Sequence, residues 1–440
     1  MSGRRGEIDM VGRWAAVVAD RLGRIEGRWL WPGLLVVLAV GFPLWIRRPG
    51  DFAGYLIVGD LVLAGRHIYL DAPPHINTWP PFFGLLCAPL ALLARPSSYL
   101  ARGAWLLLNA GLLVLVLRLL TGLVYGRDPR SPGRPEVLVP LILTGRYVLG
   151  NFEHLQINLI VFALALAGLS LEASGRPVRG GLVLGFAAAV KVMPLAFVPY
   201  LAYRRRWRAA LAAACATVAF SLSPALVFGW SRFADYLDHW RAAVAAGWGA
   251  GRMNQSVLAM WDRLLGHGLW PLAAPGIDDL PESGARIVVL AVAVSLCLVI
   301  AVALVAFRGD PRPDGWAALA EWSTVFVVAA LFGPVSWKSY LVVCLLPNTL
   351  LFAIWRSPGL DSRTRRGAGT ALLAAFVVGG VTAPGLVGRP LAERLEMTSA
   401  VTVAALVLLA GSLWVRSRLG AEPAAVQGQE SAGGGLASTT

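Results

Sequence analysis

The sequence predicts an all-α, polytopic integral membrane protein. Composition is the first reason: 57% of the 440 residues are hydrophobic and 15% are charged, and mean hydropathy is +0.64. Soluble chains carry about a quarter charged residues. The second reason is that the apolar residues come in blocks. Ile287–Phe307 and Ala400–Val415 reach or approach the roughly 20 residues that cross a bilayer. The third is that backbone polar groups in hydrocarbon must pair within their own segment, which makes these blocks helices.

The net charge of +14 flanks apolar blocks, so it reads as a topology signal and as contact with lipid headgroups rather than with nucleic acid. Cys87, Cys215, Cys297 and Cys344 sit in apolar stretches without paired spacing, which argues against disulfides and zinc. The basic residues 1–28 precede an uncleaved first helix and should stay cytoplasmic. A transmembrane domain over 29–418 and a disordered cytoplasmic tail over 419–440, rich in Gly, Ala, Ser and Gln, complete the division.

Element by element, the first span covers Leu30–Ile46. The external loop 47–98 follows, with an interfacial helix from Asp51. The apolar run after Trp79-Pro80-Pro81 has about 14 residues, too short to cross. Tyr99–Tyr125 returns to Arg127, Arg130 and Arg134. Val137–Gly150 exits and Leu155–Leu171 comes back.

Gly180–Tyr203 has arginines on both flanks, and its roughly 24 residues cannot cross twice. A re-entrant hairpin is expected, with Lys191 near its tip and Pro194 supplying the break. Trp207–Phe228 exits to a second external loop, 229–286. Ile287–Phe307, Ala317–Val335 and Tyr340–Trp355 then alternate, and two last spans end at Arg416 and Arg418. This makes about ten crossings with both termini inside.

On that topology the polar residues which membrane burial leaves unexplained gather on the external side. They are Asp51, Lys191, Arg146, Asn151, His154, Gln156 and Asn158, with Asn254-Gln255-Ser256 and Ser336-Trp337-Lys338. Charges at membrane depth are costly and point to function. Each also has a bland reading: Asp51 balances Arg47 and Arg48, Lys191 and Arg146 snorkel, and 151–158 is a polar turn. One carboxylate among cations suits an anionic, lipid-linked substrate, with cations on a phosphate and the carboxylate as general base.

Several ordered segments together resemble glycosyltransferase family 87, the polyprenyl-phosphate-mannose-dependent α-(1→2)-mannosyltransferase-like proteins. They are Asp51-Phe52…Tyr55…Gly59…Leu63-Ala64-Gly65…Tyr69 and Trp79-Pro80-Pro81-Phe82…Ala88-Pro89-Leu90. Gln156-Ile157-Asn158-Leu159, Gly185…Lys191-Val192-Met193-Pro194, Asn254-Gln255-Ser256 and Ser336-Trp337-Lys338 follow in family order.

The resemblance implies a membrane-embedded GT-C fold and a hexosyltransferase with Asp51 as catalytic base. It implies inverting transfer of a sugar, mannose by preference, from a polyprenyl-phosphate donor to a hydroxyl of an envelope glycan or glycolipid. No metal or other cofactor is expected. Lys191, Lys338, Arg146, Arg66 and His67 are candidates for the donor phosphate or substrate. Tyr55, Tyr69, Asn151, His154, Gln156, Asn158, Asn254, Gln255, Trp337 and Tyr340 are candidates for the pocket.

Many members of the family carry a His just after Ser-Trp, where this chain has Lys338, Ser339 and Tyr340, and a Tyr where it has Trp79. The expected location is a bacterial-type plasma membrane with the active site outside. Two other functions compete. A transporter or flippase of lipid-linked sugars would need matched broken helices in both halves, and the sequence shows an interruption at 191–194 alone. A non-catalytic scaffold of envelope synthesis would not require Asp51.

Overall fold

The computed structural model describes residues 30–73, 76–126, 135–246, 251–267, 282–313 and 315–419. The expectations for the N-terminal 1–28, for 420–440 and for Arg127, Arg130 and Arg134 lie outside them. All regular elements among the described residues are helical. They are α1 (Leu30–Trp45), α2 (Gly50–Leu63), α3 (Pro81–Ala94), α4 (Ser98–Tyr125), α5 (Pro135–Glu153), α6 (Asn158–Ala173), α7 (Pro177–Val190), α8 (Phe197–Tyr203) and α9 (Trp207–Phe228). The second half holds α10 (Trp230–Ala246), α11 (Val257–His267), α12 (Glu282–Ala306), α13 (Trp316–Leu331), α14 (Leu345–Arg356), α15 (Ser362–Ala375), α16 (Pro384–Val387), α17 (Arg389–Met397) and α18 (Ala400–Leu419).

Helix ends follow local chemistry. Ser97 caps α4 by accepting from the Tyr99 N–H, and Gly126 ends it in the left-handed region at φ 59°. Asp361 caps α15 by accepting from the Arg363 and Thr364 N–H groups. Five helices are long and apolar enough to cross a membrane, and six shorter apolar helices accompany them. The protein is a multi-pass membrane protein.

Side-chain partners sort the bundle into two polar ends. One end holds Asp51, Gln156, Ser336, Lys338 and Glu396. The other holds Glu172, Arg204, Arg206, Asp310, Glu321 and Arg416. α4, α5, α6, α9, α12, α13, α14, α15 and α18 run between them, with α1 leading into the Asp51 end.

The spans differ in what they face. α12 packs on protein along one stripe, where Trp261 Nε1 donates to Ser295 Oγ, leaves most of its residues exposed, and has the highest hydropathy of the candidate spans, as a helix facing lipid should. α13 is shorter than the sequence predicts and mostly buried, so protein rather than lipid matches its length.

The hairpin forms as expected. α7 stops at Lys191, a 3₁₀ turn covers Met193–Ala196, and α8 returns. The Arg206 guanidinium after α8 lies 3.7 Å from Glu172 at the end of α6. Both feet of the hairpin therefore stand at the Glu321 end, while Lys191 reaches the other. α7 packs closely on α9: a Cβ on Gly181 or Gly185 would fall within 2.4 Å or 2.5 Å of the Ala209 or Ala213 carbonyl oxygen. Glycine there lets the backbones meet, as between membrane helices generally.

α2, α3, α10 and α11 stay at the Asp51 end, within the two loops where the sequence predicts juxtamembrane helices; α16 and α17 join them there, between the last two spans, where the sequence reading expects none. One expectation needs correction. The second half is not free of interruptions: a 3₁₀ turn, Lys338–Cys344, leads into α14, and a π-helical turn, Phe376–Gly380, ends α15. The first follows Gly333-Pro334 and the second contains Gly379-Gly380, breaker dipeptides that the sequence reading passes over.

Candidate functional site

Asp51 stands in the first turn of α2. Gly50 places it there: its φ is +51°, and a Cβ on it would lie 2.4 Å from the His154 carbonyl oxygen. Only glycine accommodates both. In return the Asp51 N–H donates to that carbonyl at 2.9 Å, tying α2 to the turn after α5.

From Asp51 a chain of hydrogen bonds runs inward. Gln156 Nε2 donates to Asp51 Oδ2 at 2.6 Å. Asn158 Nδ2 donates to Gln156 Oε1 and to Ser339 Oγ, each at 3.0 Å. Lys191 Nζ donates to Asn158 Oδ1 and sits 3.4 Å from the centre of the Tyr340 ring. Asn151 Nδ2 donates to the Ser339 carbonyl at 2.9 Å, which fixes the 336–340 segment against α5.

Burial raises the Asp51 carboxyl above its ordinary range. The Gln156 hydrogen bond and the electrostatic influence of Lys191 and His154 pull it part of the way back. A carboxylate raised toward neutrality while still facing cations suits a general base.

Aromatic packing walls this network. Tyr55, one turn along α2, is fully buried with its ring edge-on to Trp79 (4.7 Å) and Phe83 (5.0 Å) and tilted against Trp105 (5.6 Å). Tyr69 donates to the Trp79 carbonyl at 2.7 Å. Trp337 and His154 are exposed. Asn254 and Gln255 act as braces. Asn254 donates to the Pro334 carbonyl and accepts from the Ser336 N–H, and Gln255 donates to the Arg252 and Glu396 carbonyls. Their amides are spent on backbone, so they shape the 336–340 segment rather than line an open pocket.

The predicted cations divide into three places. Lys191 joins the Asp51 network. Arg146 and Lys338 instead meet on Glu396 of α17: Arg146 Nη2 lies 2.5 Å and Lys338 Nζ 2.7 Å from Glu396 Oε1, and Arg252 Nη1 lies 3.3 Å from Oε2. Because Lys338 precedes Ser339, this cluster abuts the Asp51 network through the chain itself.

Arg66 and His67 are not at Asp51. They follow the far end of α2, whose 12-residue rise from Asp51 to Leu63 is about 18 Å. There Arg66 pairs with Asp71, and His67 Nε2 is 2.7 Å from Asp235. Hydrogen bonds from His67 keep both acids, Asp71 and Asp235, below the usual carboxylate range.

Sequence reasoning missed Glu396 and Arg252. Glu396 sits in a segment whose charge resembles an ordinary solvated face, whereas Arg252 lies two residues before the flagged Asn254-Gln255-Ser256, the one signal that could have found it.

His67, Asp235 and His239 bring three donor atoms within 4.8 Å of one another. His67 Nδ1, however, accepts from the Leu70 and Tyr69 N–H groups at 2.9 and 3.2 Å. The neutral ring then carries its proton on Nε2 and donates to Asp235, whereas a metal there would need that lone pair. The trio is a hydrogen-bonded tie between the loop after α2 and α10.

Residues 77–334 match glycosyltransferase family 87. The chain belongs to this family. It is a membrane-embedded glycosyltransferase, a hexosyltransferase. Among its relatives is the polyprenol-phosphate-mannose-dependent α-(1-2)-phosphatidylinositol mannoside mannosyltransferase of Mycolicibacterium smegmatis, 30% identical over 361 residues, 77% of each chain. A polyprenol-phosphate-mannose-dependent α-(1-2)-phosphatidylinositol pentamannoside mannosyltransferase of Mycobacterium tuberculosis is 27% identical over 76% of this chain and 69% of its own. ArnT of Cupriavidus metallidurans, solved with undecaprenyl phosphate, compares with a TM-score of 0.45 at 15% identity over 89% of this chain and 77% of that one.

Proposed function

We propose that this family member transfers mannose from a polyprenyl-phosphate donor to a hydroxyl of a mannosylated phosphatidylinositol or a similar envelope glycolipid, with inversion and with Asp51 as general base. The observation that carries the reading is the half-buried Asp51 carboxylate, held by Gln156 and linked through Asn158 to Lys191. The two relatives' donor and acceptor supply the substrate class.

Asp51 takes the proton of the acceptor hydroxyl as its oxygen forms a bond to the anomeric carbon. The bond from that carbon to the phosphate oxygen breaks, and its electron pair leaves with polyprenyl phosphate. Lys191 and Lys338, on either side of Ser339, stabilise the charge that grows on the phosphate. The leaving phosphate is already a good one, so no separate acid is required. The reaction side is external, both termini lie inside, and the chemistry needs no metal.

The test uses proteoliposomes with radiolabelled polyprenyl-phosphate mannose and a phosphatidylinositol mannoside. Labelled glycolipid should form with wild type and fall to background with Asp51→Asn. Equal transfer by both would remove Asp51 from the mechanism.

A further inference from the structure

Glu396 gathers cations that a substrate phosphate also needs. Its side chain is 1% exposed, and it takes Arg146, Lys338 and Arg252 together. The three are not equivalent. Arg146 is 9% exposed and is also held by the Gly379 carbonyl at 2.6 Å and Thr382 Oγ1 at 2.9 Å. Lys338 and Arg252 are 25% and 33% exposed, so a ligand can reach them. Arg252 is shared with Glu393, which also pairs with Arg389. Four cations thus face two carboxylates, and the cluster keeps a positive excess beside Ser339 and the Asp51 network. A buried carboxylate among several cations costs desolvation that its pairs must offset.

We propose that Glu396 is a displaceable counter-ion of the donor-phosphate subsite. This rests on the assignment of Lys338 to that phosphate. In the free enzyme Glu396 holds Lys338 and Arg252 in place. The donor is a phosphodiester with one negative charge, and it takes over the two reachable cations while Arg146 keeps Glu396. After transfer the lipid is a phosphomonoester carrying about 1.5 to 2 negative charges at neutral pH. Unopposed, it would bind more tightly than the donor. The neighbouring Glu396 carboxylate repels that extra charge and reclaims Lys338, which favours release. Glu396 is thus a positioning residue that discriminates product from donor.

The experiment compares wild type and Glu396→Gln in proteoliposomes. It measures the inhibition constant of undecaprenyl phosphate, the KM of polyprenyl-phosphate mannose, and kcat. The inhibition constant should fall about tenfold, within the usual range of coupling between sites. KM should fall less, and kcat should drop as release slows. An unchanged or raised inhibition constant would overturn the proposal.

If Glu396→Gln fails to accumulate, the charge-balanced Lys338→Gln/Glu396→Gln protein is compared with Lys338→Gln. The double variant should bind undecaprenyl phosphate more tightly, because Arg252 then answers to Glu393 alone; equal binding overturns the proposal. A wild-type enzyme insensitive to undecaprenyl phosphate would instead overturn the donor reading beneath it.

Discussion

The two polar ends of the bundle use the same residue types for different purposes. At one end Glu321 is fully buried, and Arg204, Arg416 and Tyr200 all serve it: Arg416 Nε at 2.6 Å, Arg204 Nε at 2.8 Å and Tyr200 Oη at 3.0 Å. Their remaining donors go to backbone. Arg204 donates to the Gly309 and Phe307 carbonyls, and Arg416 to that of Arg308. The one carboxylate is fully enclosed, and the cluster clamps α8, α13 and α18. At the other end several of the charged groups stay partly exposed. Asp51 faces Lys191 only through Gln156 and Asn158, and Glu396 is outnumbered by its cations. A saturated network stabilises a fold, and an unsaturated one leaves interactions for a ligand.

The largest expected effect tests this contrast by activity. Asp51→Asn should cut transfer by about 10²–10⁴-fold, the usual contribution of a positioned base. Because burial disfavours the Asp51 charge, the same variant should melt no lower than wild type. A variant that loses transfer and melts early would make Asp51 structural and erase the difference between the ends. Lys191→Met should lower kcat about 10²-fold, as loss of one stabilising donor does elsewhere, with the folded helical signal retained.

Glu321→Gln should do the converse. Two buried guanidiniums lose their counter-charge, at about 3–5 kcal/mol. Thermal unfolding should come much earlier, and the protein that remains folded should keep its kcat. A subtler effect is in pH. Asp51 acts only when deprotonated, and burial raises its carboxyl. The acid limb of kcat/KM should therefore have its midpoint above the ordinary carboxylate value, and Asp51→Asn should abolish that limb. In stability the sign is opposite: the folded state binds this proton more readily, so Asp51 destabilises as pH rises through that window. Least of all, Arg66→Ala should change stability by at most about 0.5 kcal/mol, as exposed pairs do, and leave transfer nearly unchanged. A large loss of transfer there would bring the far end of α2 back into the site.

Much of this was legible in the sequence, because hydropathy and charge act locally. Arginines on both flanks of Gly180–Tyr203, with Pro194 inside, predicted the hairpin, and α9 matches its predicted bounds at Trp207–Phe228. Asp51, Gln156, Asn158 and Lys191 were each suspicious as polar residues at membrane depth, and the fold does join them. What stayed hidden depends on contacts distant in sequence. Arg146 and Lys338 seemed to be free cations until α17, some 250 residues after Arg146, brought Glu396 between them. Asn254 and Gln255 seemed to line a pocket, but their amides are paired with backbone from another loop. Arg66 and His67 shared a loop with Asp51, yet the rigid rise of α2 holds them apart.

The hairpin also bears on how the protein is built. Its two feet stand on the same side, so the α7–α8 segment contributes nothing to the alternation of the chain across the bilayer. It must nevertheless carry an ammonium group into hydrocarbon, a placement costly for an isolated helix. The glycines of α7 dock on α9, which is made later, and the acceptor for Lys191 is Asn158 of α6, made earlier. The hairpin can therefore settle only once both neighbours are in place. The order of synthesis makes it a late wedge, and its closing seats the ammonium group on Asn158, at the inner end of the chain of hydrogen bonds from Asp51.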